Sequence, residues 1–327
     1  MRPTRAWLPA GYAPWLDRIA TCHACVMRRI ALVTVLAMSS VAYAGDSKAW
    51  TAAKKVLPAK LFVVFGVNAG SIRASDLYAK LLPMALDKAG DAKSHLQEIK
   101  DTCGVDVPGA IDSMVVGVDE DGKGTIVIAL KAMAQKDVDG CLGKLVKAHG
   151  GKLTSDKAGE LVRYHMDSKD SDLYFRWLGK DVFAVATDPT DKAASVAATA
   201  GGIASDKQMS PLLASSKTTA AMWFAINKTQ DIEQVHAKMT GMYGNAELKT
   251  GNVAIDGHLL LDSDKAAGDV ANQATAMIPM LSASGKVPPS MTALVKSLVI
   301  KAAGKEVVIT AQAPEQDVID IVQQVMH

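Results

Sequence analysis

The sequence predicts an α+β protein built from two diverged repeats, each an antiparallel sheet with helices packed on one face. Three observations predict it. Short β-rich runs come in pairs joined by turn residues, as where 111–118 and 125–130 flank Asp119-Glu120-Asp121-Gly122-Lys123-Gly124. Stretches of helical period stand between these hairpins instead of alternating with single strands, which favours antiparallel pairing over βαβ units. The order strand, helix, strand or hairpin, helix, hairpin, helix then recurs, with residues 45–215 as the first copy and 216–327 as the second.

Local signals justify the elements in turn. Residues 61–65 are a continuous apolar run, the pattern of a strand covered on both faces. Ser75 and Asp76 can cap a helix whose stripe is Leu77, Leu81 and Ala85, and Pro83 should kink or divide it. Leu96, Ile99 and Cys103 mark a second helix ended by Gly104. After the first hairpin, Val138, Leu142, Leu145 and Val146 line a third helix, stopped at Gly150-Gly151. Strands are expected over 161–166, 173–178 and 181–187, the last two joined at Gly179-Lys180, and an alanine-rich helix over about 190–200. In the second copy, 220–227 reads as an apolar strand, and Ile232, Val235, Met239 and Met242 as a helix face. Residues 252–261 are β-patterned, and Ser263-Asp264 caps a helix bent at Pro279. A hairpin over 297–302 and 306–311 precedes a C-terminal helix opened by Pro314.

Ahead of these elements the chain reads as an export signal. Arg28-Arg29 is a short basic start, 30–38 an apolar run and Ala42-Tyr43-Ala44 a small, spacer, small cleavage pattern. Residues 27–44 are therefore expected to be a signal peptide cut before Gly45, giving a periplasmic or secreted protein. The fifteen residues of 30–44 fall short of the roughly 20 that a spanning helix needs. Residues 1–26, with Pro3, Pro9 and Pro14, read as an upstream extension ahead of a true start at Met27. Residues 1–44 hold five arginines and one aspartate, so their removal turns a formal charge of +2 into a slight acidic excess. With both signs interspersed, neither nucleic acid nor an anionic membrane is an expected partner, and no later stretch reads as a transmembrane segment.

Cys103 and Cys141 are the cysteines left after cleavage, an even pair in a chain bound for an oxidising compartment, so one disulfide is expected between them. The helix end at Cys103-Gly104, the hairpin after it and the helix start at Asp139-Gly140-Cys141-Leu142 resemble a pattern in uncharacterised exported two-repeat proteins of myxobacterial type, over about the first half of the chain. That resemblance implies the disulfide and an envelope location, and no function.

Catalytic signatures do not assemble. His95, His149, His165, His236, His258 and His327 are scattered, with no metal-ligand spacing, and are expected to be surface or internally satisfied; no metal and no cofactor is predicted. Lys249-Thr250-Gly251 lacks the serine motifs that would accompany it in a β-lactamase, and the acidic clusters at 119–121 and 167–172 suit hairpin turns better than calcium. One face stands out. Alternation along 161–166 sets Arg163 and His165 on one side, and matching apolar faces places Arg163 opposite Arg176 and His165 opposite Tyr174, with Phe183 and Val185 alongside. Two cations, an imidazole and a phenol beside apolar groups suit an amphipathic anion, and opposed arginines call for a carboxylate nearby. The expectation is an exported, soluble, non-catalytic binding or interaction protein of the envelope, whose partner is a protein or a small amphipathic ligand. The alternative is a carrier of an apolar or amphipathic anionic ligand, with an enzyme assembled from distant residues third.

Overall fold

The structure, a computed structural model, describes residues 45–326 apart from 74, 89, 159, 167–171, 188–201 and 284–286. The signal peptide, the upstream extension, the alanine-rich helix over 190–200 and the Asp167–Asp170 cluster lie outside the described residues. The first part of the chain runs α1 (Lys48–Val56), β1 (Val63–Val67), α2 (Asp76–Lys88), α3 (Asp91–Cys103), α4 (Val107–Ala110), β2 (Ile111–Val118), β3 (Gly124–Leu130), α5 (Gln135–Ala148), β4 (Leu153–Ala158), β5 (Leu161–Met166), β6 (Leu173–Trp177) and β7 (Val182–Ala186). The second runs α6 (Met209–Ser215), β8 (Met222–Ile226), β9 (Gln230–Ile232), β10 (Ala237–Lys249), β11 (Asn252–Leu261), α7 (Asp264–Ala283), α8 (Thr292–Ser297), β12 (Val299–Ala303), β13 (Glu306–Pro314) and α9 (Glu315–Met326).

The strands join one antiparallel sheet in the order β12-β13-β11-β10-β8-β1-β2-β3-β7-β6-β5-β4, with β9 beside β10, so the α+β class is as the sequence predicts. Outward from the central β1/β8 pair the same order repeats: β1-β2-β3-β7-β6 one way and β8-β10-β11-β13-β12 the other. A helix leads into the first strand of each series, α1 and α6, and another follows the third strand, α5 and α7.

Alternation sorts the sheet into two faces. On the first, Val64, Val115, Val127 and Ala225 meet α1 and α6, which supply Trp50, Ala53, Leu212 and Leu213. On the second, Val67 meets Leu77 and Leu81 of α2 and Ile319 of α9, Ala267 and Ala271 of α7 cover Leu261 and Val307, and α5 brings Val138 and Leu142 to Tyr164, Trp177 and Phe183. Helices thus take both faces, where the sequence suggested one. The physical reason is in the central strands: β1 and β8 are apolar on both sides, and a one-sided cover would leave Val64 and Ala225 in water. Trp50 meets Trp223 edge-on at 4.7 Å, and Gly66 makes that packing possible, since a Cβ there would lie 2.1 Å from the Trp223 ring.

Ser47 caps α1 by accepting from the Trp50 N–H, and the Asp119 carboxylate accepts from the Asp121 and Lys123 N–H groups to shape the first hairpin turn. α2 and α7 run through Pro83 and Pro279 undivided. The helix expected across Ile232, Val235, Met239 and Met242 is instead β9, a short 3-10 turn and the thirteen-residue β10. Gly241 and Gly244 weaken a helix there, and pairing with β8 and β11 satisfies the backbone on both sides. The expected disulfide forms: Cys103 and Cys141, with Cα atoms 5.3 Å apart, join the end of α3 to α5.

Candidate functional site

The face read from the sequence forms with a different register. Leu161 lies opposite Arg176, and Arg163 opposite Tyr174, two residues from the expected pairing. Like charges directly opposed are unfavourable, and this register parts the two guanidinium groups and gives each a carboxylate. Arg163 pairs with Asp156, directly across on β4, while Arg176 bonds Glu160 at 2.7 Å. Asp172 gathers the rest: His165 Nδ1 lies 2.7 Å from Oδ1, the Tyr174 hydroxyl donates to Oδ2 at 3.2 Å, and Arg163 stands 3.8 Å away. The His165 hydrogen bond first, then that of Tyr174 and the Arg163 charge, hold the Asp172 carboxyl below its ordinary range. The carboxylate that opposed arginines require is therefore internal. Phe183 and Val185 do not join this face, because Ala184 sits across from Arg176 and Phe183 across from Trp177, on the α5 side.

Arg176 also lines a shallow groove of about 530 Å³ between α1 and the β6–β7 turn, with Ala52, Val56 and Leu178 as its apolar part and a rim where Lys48 pairs with Asp181 at 2.7 Å. A second groove of about 410 Å³ lies on the same face over Asn245, Glu247, Asp256, Thr310 and Gln312. Beside it is a polar cluster that sequence reasoning missed. Tyr243 and His258 are register partners with rings stacked at 4.4 Å. The Tyr243 hydroxyl donates to Glu306 at 3.1 Å, and His258 stands 2.9 Å from Glu306 and 3.3 Å from Asp256. Burial, then Glu306, pushes the Tyr243 phenol up to about 12. Glu306 is far from Tyr243 in sequence, so no local motif announces the cluster. Both imidazole nitrogens face carboxylates, which makes His258 an internally satisfied histidine. Among the described residues no group of His, Cys, Asp and Glu is arranged to hold a metal ion.

The opposite face carries an uncharged row running across the strands. From Phe65 at its centre it passes through Val116 and Ile126 to Val185. The other way it passes through Phe224, Gly244 and Gly257 to Ile309. Its ends are built into the α5 and α7 cores, to which Val185 and Ile309 belong. Phe65 at its centre packs against the core under α2 and α9, while Val116, Ile126 and Phe224, with Ile226 and Met242 beside them, are partly buried and outside all four core clusters of the described residues.

No protein-family model matches this chain, and no curated protein matches it. Solved structures that resemble it include crystal form III of TP0453, at 9% identity and a TM-score of 0.46 over 82% of this chain and 96% of that one. Crystal form I of TP0453 is similar at 7% identity and a TM-score of 0.45, over 87% of this chain and all of that one. Likeness of this order carries no ligand, activity or location to this chain.

The apolar row escaped the sequence reading for a definite reason. Continuous apolar runs at 61–65 and 220–227 mark strands apolar on both sides, and that pattern is the same whether the second face is buried by helices or left open.

Proposed function

We propose that the mature chain, residues 45–327, is an exported, non-catalytic binding or interaction protein of the cell envelope, and that it binds through the apolar row on the α5–α7 face. The observation that carries this reading is the partial exposure of Val116, Ile126 and Phe224, which belong to none of the packed cores of the described residues. A contiguous apolar surface left between packed helices is the usual mark of an interaction site. Export rests on the pattern at 27–44, and the Cys103–Cys141 bond fits an oxidising compartment. The matching strand orders on either side of β1/β8 support a duplication, with α6 leading the second unit as α1 leads the first.

The test is native mass spectrometry of the full protein purified from its own envelope, alongside Phe224→Ser. The wild type should carry an added mass that the variant loses while the variant still unfolds in one cooperative transition. Bare chains in both preparations, or the same added mass in both, would refute binding through this row. N-terminal sequencing of the exported protein should begin at Gly45, and a mature chain that retained Trp7 would end the export reading.

A further inference from the structure

We infer that the β12 edge of the sheet, together with the second half of α7 beside it, docks on an anionic lipid surface. This edge is separate from the apolar row and does not depend on it.

Four large hydrophobic side chains are exposed among the described residues, and three of them stand here: Met277 at 43%, Met280 at 65% and Val299 at 48%. Their exposure follows from how α7 is laid down. Ala267 and Ala271 bury its first half against Leu261 and Val307. Thr275 then donates to the Ile300 carbonyl of the edge strand at 3.3 Å, and from Asn272 onward no described residue of α7 is buried. Past Thr275 the helix runs on to Ala283, about 12 Å, without a charged residue.

Charge selects the partner. Residues 270–305 contain four lysines, Lys286, Lys296, Lys301 and Lys305, and neither aspartate nor glutamate, in a mature chain with a slight acidic excess. Lys296, Lys301 and Lys305 are exposed, and none pairs with a carboxylate among the described residues. The mixed signs of the whole chain argue against an anionic membrane, and this segment is the exception to that mixture. A second copy of the chain would bring lysine against lysine, and Lys301 in the middle of β12 opposes strand pairing along the edge. Protein interfaces draw on Trp, Tyr, Phe and Arg as anchors and are poor in Lys. Residues 270–305 hold none of those four types, and their only charges are lysines. Anionic headgroups accept lysine as a point charge without directed geometry, and methionine enters the headgroup boundary without needing a matched pocket. No helix among the described residues is long and apolar enough to cross a membrane, so the contact is one of lying on the surface.

The experiment is co-sedimentation of the full mature protein with vesicles of equal parts phosphatidylcholine and phosphatidylglycerol, and with vesicles of phosphatidylcholine alone. The wild type should bind the mixed vesicles, and the neutral ones at least about tenfold more weakly. Met277→Ser with Met280→Ser removes apolar surface that is exposed in the free protein, and should weaken binding to mixed vesicles at least about tenfold. Lys296→Gln with Lys301→Gln should do the same, each lysine near the surface accounting for about fivefold. Both variants should still unfold in one cooperative transition. Absence of binding to mixed vesicles, equal affinity for neutral ones, or wild-type affinity in either double variant overturns the inference. A co-purifying protein lost from the methionine variant, with no binding to vesicles, would assign the edge to a protein partner and also overturn it. Phe224→Ser should bind vesicles as the wild type does; loss of vesicle binding in that variant, folded, would move the lipid contact to the apolar row and refute the assignment to this edge.

Discussion

Replacing Cys103 and Cys141 together with serine should lower the free energy of unfolding by about 4 kcal/mol, the chain-entropy value for releasing a closed loop of their separation, 38 residues. That loop holds the β2–β3 hairpin, so the constraint acts on a central part of the unfolded chain. In the native state the bond anchors a helix that has little else to hold it. No described side chain of α3 is fully buried, and its ion pair from Glu98 to His149 on α5 is exposed and worth little. The assay is urea unfolding of oxidised wild type, reduced wild type and the double variant at one pH, reading both midpoint and slope. Reduced wild type and the variant should coincide, with hydrogen exchange in α3 faster than in β1 and β2. A loss below about 1 kcal/mol at unchanged slope would refute the argument, because it would mean that the crosslink does not restrict the unfolded ensemble.

Two further predictions concern titration. Burial raises the Asp206 carboxyl, but the N–H groups of Met209, Lys60 and Gln208 outweigh it and hold the group low; Lys54 and Thr218 likewise overcome burial at Asp46. A lowered folded-state value stabilises above the ordinary carboxylate range and is lost as pH falls through the folded value, so melting temperature should drop between about pH 5 and pH 2. Asp206→Ala, which orphans three N–H groups, should cost about 1 kcal/mol at neutral pH by denaturant unfolding and much less in acid; an equal cost at both would contradict the assignment. At the other end, burial and then Asp139 push Tyr164 up to about 12, as burial and Glu306 do for Tyr243. These raised values stabilise below the ordinary phenol range, near 10, and that stability is lost as pH rises toward 12. Ultraviolet titration should find these two phenols ionising late, and in Tyr164→Phe one late phenol should disappear.

The sequence by itself determined the class of fold, most hairpins and the disulfide, because each depends on signals close together in the chain. Asp119 to Gly124 writes its own turn, and Gly104 ends its helix with φ at +72°. The Cys103–Cys141 bond follows from the expectation that the two thiols left after a signal peptide would pair. Where local periodicity is ambiguous, the reading went astray. Ile232, Val235, Met239 and Met242 fit a helical stripe, yet β10 is a strand because β8 and β11 offer it two hydrogen-bonding edges. The register of β5 on β6 likewise depends on Asp156 and Glu160, carboxylates from outside the pair of strands being matched.

Only the tertiary structure decided which distant side chains meet. Tyr243, His258, Asp256 and Glu306 meet because β10, β11 and β13 lie side by side, a neighbourhood no spacing in the chain encodes. The apolar row is a stronger case. Val116, Phe65, Phe224 and Gly257 come from four strands and form a surface only after pairing aligns them. Whether such a surface becomes core or binding floor depends on where the helices come to rest. Apolar alternation records that a side chain leaves the strand toward a face, and it is the packing of distant elements that determines what that face meets.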